Sequence, residues 1–159
     1  MYEEEIKKIE EYRKSGRYEE AEELLRFFIK KDPKNSKLNY HMACTLDNHG
    51  KEDEAVQYYE NAISNSLGTE DLLRALLGLG SSLKVLGRLE ESNSVFLEAM
   101  RQFPEKKELL VFHALTLFEM KEYEVSFNEL IGVLLETTKD EGILNYRKAI
   151  ESYKKEISK

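Results

Sequence analysis

The side chains with the greatest potential for chemistry lie together in one short segment. His41, Cys44 and Asp47 follow one another at intervals of three residues, so on a helix His41 and Cys44 share a face. Imidazole and thiolate bind transition metals, but two ligands do not make a site, and no CxxC or HExxH motif accompanies them. His49 and His113 have no nucleophile at a defined spacing. The sequence therefore predicts no enzyme, no cofactor and no metal site, and a polar pair lining a binding surface is the preferred interpretation.

Composition and charge favour an all-α protein. The chain has 159 residues, of which 41% are hydrophobic and 35% charged, with two prolines and no tryptophan. This size suits one domain, and the high content of helix-forming residues argues against a β-sandwich. The formal net charge is −7, so the chain offers no general positive field for phosphate backbones. Nucleic acid is therefore an unlikely partner.

Sequence features also favour a cytoplasmic location. The first residues are acidic, the reverse of a secretory signal peptide, and no apolar run approaches the roughly 18 residues of a membrane span. Cys44 is the single cysteine, so no internal disulfide can form. We expect neither export by a signal peptide nor a membrane partner.

A short motif recurs four times along the chain. Its anchor positions, separated by 34, 37 and 34 residues, are Gly16, Gly50, Gly87 and Lys121. Five residues after each anchor stands a small residue, in turn Ala21, Ala55, Ser92 and Ser126. The three extra residues between the second and third copies predict a longer loop around Ser64 to Thr69, with Gly68 in a left-handed conformation.

The period, the small residues and the prolines Pro33 and Pro104 resemble the tetratricopeptide repeat (TPR) family. The resemblance covers nearly the whole chain and implies antiparallel helix pairs, A and B, stacked into a right-handed superhelical solenoid. About nine helices are expected in a single domain, 1–159. The predicted repeats are approximately 2–35, 36–72, 73–106 and 107–139, and a capping helix follows at 140–158.

The capping helix is predicted from an amphipathic pattern. One apolar stripe contains Ile143, Tyr146, Ile150, Tyr153 and Ile157. Such a helix is needed because a repeat cannot bury its own apolar face, and the end of a stack would otherwise expose it.

The resemblance implies that the A helices line a concave groove. Positions left over from helix packing supply the candidate partner-binding residues: Tyr40, His41, Cys44, Asn48, Arg74, Leu77, Ser81, Lys84, Val111, Phe112, Leu115 and Phe118. The charged members of this face in the first three repeats are Glu3, Lys7, Glu10, Arg13, Lys14, Lys37, Asp47, Arg74 and Lys84.

One known binding mode of the family does not fit these residues. Chaperone-binding TPR domains hold a terminal carboxylate with a clamp of lysine, asparagine and arginine. The corresponding residues here are Ile6, Glu10, His41, Arg74 and Gly78. Only Arg74 matches, and Glu10 would repel a carboxylate at its position, so this clamp is rejected.

The predicted function is non-enzymatic binding of a protein or peptide segment, extended or helical, in the groove. A pocket floor of Gly78 and Ser81 would lie between two walls, one of Tyr40 and His41 and the other of Phe112 and Leu115. In the alternative interpretation Gly78 and Gly80 only allow close helix packing, and Phe112 and Leu115 bury against the last repeat.

A second function class is self-association. In that case the apolar fourth repeat or the 143–157 stripe would pair across a two-fold axis, which makes a homodimer possible.

Overall fold

A computed structural model describes residues 2–157, with side chains described as far as Lys154. This part of the chain is all-α, as predicted. Its ten helices are α1 (Glu3–Lys14), α2 (Tyr18–Lys31), α3 (Ser36–Asn48), α4 (Glu52–Ser64), α5 (Thr69–Val85), α6 (Leu89–Gln102), α7 (Lys107–Glu119), α8 (Tyr123–Thr137), α9 (Glu141–Asn145) and α10 (Arg147–Ile157). Within these residues no helix has the length and apolar character needed to cross a membrane.

The helices form two compact units. The N-terminal unit ends at Arg88 and contains α1 to α5, and the C-terminal unit begins at Leu89 and contains α6 to α10. In the N-terminal unit each helix packs on the next, and α3 also contacts α1 and α5, so the three A helices lie side by side. In the C-terminal unit α7 packs on α6 and α8, and α8 also contacts α10. This pairing of neighbouring helices is the TPR-like arrangement predicted from the repeat.

The repeat anchors form the turns between consecutive helices. All four have a positive φ: Gly16 (73°), Gly50 (74°), Gly87 (73°) and Lys121 (66°). After the first anchor, the Arg17 N–H donates to the Tyr12 carbonyl at 2.8 Å, the hydrogen bond that closes a Schellman turn. Glycine recurs here because it adopts this backbone without strain.

The small residues of the repeat are all buried. Ala21, Ala55 and Ser92 are 0% exposed and Ser126 is 2% exposed. The Ser126 hydroxyl donates to the Ala114 carbonyl at 2.7 Å, so α7 and α8 approach closely at this point.

The three extra residues do not lengthen a loop, and this expectation was wrong. α5 has 17 residues, compared with 13 in α3 and in α7, so the extra length lies in the helix. Glu70 and Asp71 occupy its first turn, where acidic side chains stabilise the helix N-terminus. Gly68 is extended, with φ −62° and ψ 155°, and Ser66 is the left-handed residue, with φ 63°.

The predicted capping helix is divided into α9 and α10. The Tyr146 N–H donates to the Ile143 carbonyl at 3.1 Å, a tighter turn that interrupts the α-helical pattern and accounts for the tenth helix. Tyr146 and Tyr153 are 69% and 61% exposed, whereas Ile143 and Ile150 are half-buried. The side chain of Ile157 and the predicted end at residue 158 lie outside the described residues.

Candidate functional site

Eight of the candidate residues belong to the N-terminal unit. α3 carries Tyr40, His41, Cys44 and Asn48, and α5 carries Arg74, Leu77, Ser81 and Lys84. The start of α3 is fixed by Asn35, whose Oδ1 accepts from the Leu38 N–H at 3.1 Å. Asn39, 1% exposed, donates to the Pro33 carbonyl at 3.0 Å. This polar residue therefore ties α3 to the preceding turn.

A half-buried carboxylate joins three helices of the N-terminal unit. Asp47 of α3 accepts a hydrogen bond from Tyr59 Oη of α4 at 3.0 Å and another from Ser82 Oγ of α5 at 2.8 Å. Burial raises the pKa of Asp47, although the two hydrogen bonds oppose that shift. Both oxygens of the carboxylate therefore accept a hydrogen bond within the unit, and the carboxylate links the three helices.

Tyr40 and His41 are more deeply buried than the walls of an open groove would be. They are 8% and 6% exposed, and their rings meet edge-on with centroids 5.2 Å apart. Burial, with the nearby charges of Arg13 and Lys37, lowers the pKa of His41 from 6.5 to about 4. His41 is therefore neutral at pH 7, and its Nδ1 is buried without a hydrogen-bond partner among the described residues.

Gly78 is a packing position, as in the alternative interpretation. A Cβ built on Gly78 would lie 2.5 Å from Cζ and Oη of Tyr59, so the tyrosine ring occupies the space that the pocket floor was predicted to leave open. Ser81, one helical turn later, is half-buried, and its Oγ is buried without a partner among the described residues.

The other polar candidates of this unit lie nearer the surface. Asn48 is exposed and donates from Nδ2 to the Cys44 carbonyl at 2.6 Å. Arg74 is exposed and pairs with Glu70 one turn earlier. Lys84 and the apolar Leu77 are half-buried.

The other four candidates belong to α7 in the C-terminal unit. Val111 and Phe112 are half-buried, and Leu115 and Phe118 are 43% and 59% exposed. The predicted pocket, which sets Phe112 and Leu115 opposite Tyr40, draws on both units and stays a prediction.

A separate apolar depression lies in the C-terminal unit. It has a volume of about 450 Å³, and its lining consists of Phe118, Tyr123, Glu124, Ser126, Phe127 and Leu130. The rings of Phe118 and Tyr123 lie 5.2 Å apart at its edge. Phe118 was predicted as a groove residue, but the sequence pattern gave no indication that α8 contributes to this depression.

Metal-ligating residues do not cluster in the part of the chain that is described. No group of three or more His, Cys, Asp or Glu side chains is arranged there to hold an ion. Burial raises the pKa of Cys44, so the residue is a protonated thiol at pH 7. Such a thiol is a poor metal ligand.

Comparison with known proteins agrees with the fold. The structure is similar to that of YrrB, described as a TPR protein with an unusual peptide-binding site, with a TM-score of 0.71 and 20% identity over 86% of this chain and 69% of YrrB. It is also similar to MamA MSR-1 C2, with a TM-score of 0.68 and 23% identity over 77% of this chain and 68% of the other. No curated protein has a matching sequence. A family model for the tetratrico peptide repeat matches residues 36–157. This match spans most of the chain, which therefore belongs to the tetratricopeptide repeat family.

Proposed function

We propose that the protein is a non-enzymatic interaction module that binds a peptide segment of a partner protein on the face formed by its A helices. One observation carries the proposal: α1, α3 and α5 lie side by side, and residues left over from their packing are half-buried and chemically mixed, such as Leu77 and Ser81. A surface of this kind offers apolar contact together with a few orienting polar groups. The likeness to YrrB, whose description includes a peptide-binding site, supports a peptide as the ligand class. A cytoplasmic location is part of the proposal.

An array of random twelve-residue peptides tests this function. The wild-type protein is expected to bind a subset of the peptides, and the best of them are then measured by fluorescence polarisation. Leu77→Ala on α5 is expected to weaken that binding by about 1 kcal/mol or more, because this half-buried apolar side chain lies on the proposed face. The matched control is Leu97→Ala, because Leu97 is 51% exposed and lies on α6, outside the proposed face. Equal effects of the two substitutions would contradict binding at Leu77.

Self-association is the second candidate, favoured by the apolar depression of the C-terminal unit. Phe118, Tyr123 and Phe127 are 59%, 53% and 38% exposed there, and contiguous exposed aromatic surface commonly marks an interface. Sedimentation equilibrium of the free protein discriminates the two functions. A dimer that Phe127→Glu converts to a monomer would support self-association, whereas a monomer at all concentrations would contradict it.

A further inference from the structure

The A-helix face of the N-terminal unit has a charge opposite to that of the whole chain. Its acids are Glu3, Glu10 and Asp47, and its bases are Lys7, Arg13, Lys14, Lys37, Arg74 and Lys84. Two further acids lie against it, since Glu70 pairs with Arg74 and the charge of Asp71 acts on Tyr40. Bases still outnumber acids on this face, by six to five, although the chain has a formal net charge of −7. A local excess of positive charge attracts anionic groups.

The acids of this face do not neutralise Arg13, a base of α1. Asp47 already accepts hydrogen bonds from Tyr59 and Ser82. Glu10 lies one turn before Arg13 on α1, but the two residues form no ion pair. Among the described residues Arg13 has no salt-bridge partner at all, and its Nη1 is buried without a hydrogen-bond acceptor. A buried N–H group without an acceptor is energetically unfavourable, and a bound anion would supply the acceptor.

Two further polar atoms without partners come from the neighbouring A helices. They are Nδ1 of His41 on α3 and Oγ of Ser81 on α5. The charge of Arg13 acts on both His41 and Cys44, so the guanidinium lies beside α3. The charge of Lys37 also acts on His41. Three successive A helices thus each present a buried polar atom that is unsatisfied within the described residues.

We propose that this face selects partner segments that carry a carboxylate, and that the Arg13 guanidinium binds this group with His41 and Lys37 beside it. The planar guanidinium can pair with both oxygens of a carboxylate. The neutral imidazole of His41 and the hydroxyl of Ser81 can donate further hydrogen bonds to the same segment. This inference rests on the proposed function, because it names the chemistry of the peptide that the A-helix face binds. The site uses other residues than the clamp rejected from the sequence.

Four versions of one peptide test the proposal. The strongest uncharged binder from the peptide array, amidated at its C-terminus and labelled with fluorescein, is the scaffold. Three versions replace each residue of this scaffold in turn with glutamate, with glutamine or with lysine. The fourth version has no acidic side chain and a free C-terminal carboxylate. The glutamate and free-terminus versions distinguish a side-chain carboxylate from a chain end.

At one or more positions, a carboxylate is expected to bind about tenfold more tightly than glutamine, the gain from a charge-assisted hydrogen bond. Lysine at the same position should weaken binding. Arg13→Gln should abolish the preference for the carboxylate. The matched control is Lys8→Gln, which removes the same charge from an exposed position on the same helix.

The stability of the free protein supplies a second readout. Arg13→Gln removes an unpaired, half-buried charge, so the thermal midpoint should stay the same or rise. A marked fall would show that Arg13 is satisfied in the free protein and would overturn the proposal. Glutamate and glutamine peptides that bind equally well at every position would also overturn it while the proposed function stands. If no peptide of any kind binds, the proposed function fails as well.

Discussion

Asp47 and His41 are two titratable side chains of α3 that differ in their hydrogen-bond partners. Asp47 has two hydrogen-bond donors, from Tyr59 and Ser82. The His41 ring has no hydrogen bond among the described residues, and Arg13 and Lys37 act on it with positive charge. The carboxylate is therefore a structural link between helices, whereas protonation of the imidazole works against the folded state.

The lowered pKa of His41 predicts sensitivity to acid. The unfolded chain takes up a proton on this side chain below about pH 6.5, and the folded protein does so only below about pH 4. Stability should therefore fall as the pH drops through this window, because the unfolded state binds more protons. Between pH 7 and pH 5 the contribution of His41 is about 2 kcal/mol. Urea unfolding at the two pH values measures the loss.

Substitution of His41 isolates its share of this loss. His41→Gln should reduce the difference in stability between pH 7 and pH 5 by about 2 kcal/mol. Lys34→Gln, at an exposed turn position, should leave the difference unchanged. An equal pH dependence in wild type and His41→Gln would show that His41 does not titrate with a lowered pKa.

Gly78→Ala should destabilise the protein by about 1–3 kcal/mol because overpacking strains a close contact. The new Cβ would lie 2.5 Å from the Tyr59 ring, and Tyr59 cannot move without disturbing its hydrogen bond to Asp47. The control is Gly132→Ala in α8, where a Cβ would meet only the flexible end of Lys154, at 3.3 Å. There alanine should be neutral or stabilising, since it favours a helix by about 1 kcal/mol over glycine. Thermal unfolding measures both, and equal shifts would contradict the close contact at Gly78.

Residue roles imposed by the backbone could be predicted from the sequence, and those that depend on side-chain direction could not. The anchor glycines and Ala55 were identified because a left-handed turn and a close helix crossing restrict the residue type. The link from Tyr59 to Asp47 was missed because nothing in the spacing of two residues on different helices shows which way their side chains turn. The same reason explains why Gly78 was assigned to an open floor.

At the scale of helices, the repeat period predicted the pairs but not the site of the insertion. The spacing of 37 between Gly50 and Gly87 is compatible with a longer loop or a longer helix. The structure extends α5 to 17 residues. Relative to the 13 residues of α3, this extension is about one helical turn, so it keeps the packed face of the helix in register. The sequence pattern alone does not distinguish a longer loop from a longer helix, because both leave the later positions of the repeat unchanged.

The crossing of α3 and α4 is tested at Ala55. This residue is 0% exposed, so Ala55→Leu should destabilise the protein by about 1–3 kcal/mol because the helices leave no room for the larger side chain. Gln57→Leu places the same side chain at an exposed position of α4 and should change stability by less than about 0.5 kcal/mol. The two are compared by urea unfolding. An unaltered midpoint for Ala55→Leu would mean that the helix pair tolerates a wider separation.

At the scale of the whole molecule, the two compact units have different surface chemistry. The N-terminal unit presents an A-helix face with a small excess of bases and with unsatisfied polar atoms. The C-terminal unit has exposed aromatic side chains around a depression of about 450 Å³. The composition predicted neither surface. A net charge of −7 is summed over the whole chain and does not show where the charged side chains lie. The A-helix face is the surface that we propose for peptide binding, and the aromatic surface is the one that self-association would use.

Peptide binding on the A-helix face is tested by the affinity of Ser81→Phe for a peptide selected by the wild-type protein. Ser81 is half-buried on α5, and a phenylalanine there would fill the space that the ligand is proposed to use. The matched control is Ser94→Phe, at an exposed position of α6, and circular dichroism verifies that both variants keep their helix content. We expect at least a tenfold loss of affinity for Ser81→Phe, about 1.4 kcal/mol, and no loss for Ser94→Phe. If folded Ser81→Phe binds the peptide as tightly as the wild type, the A-helix face is not the binding surface.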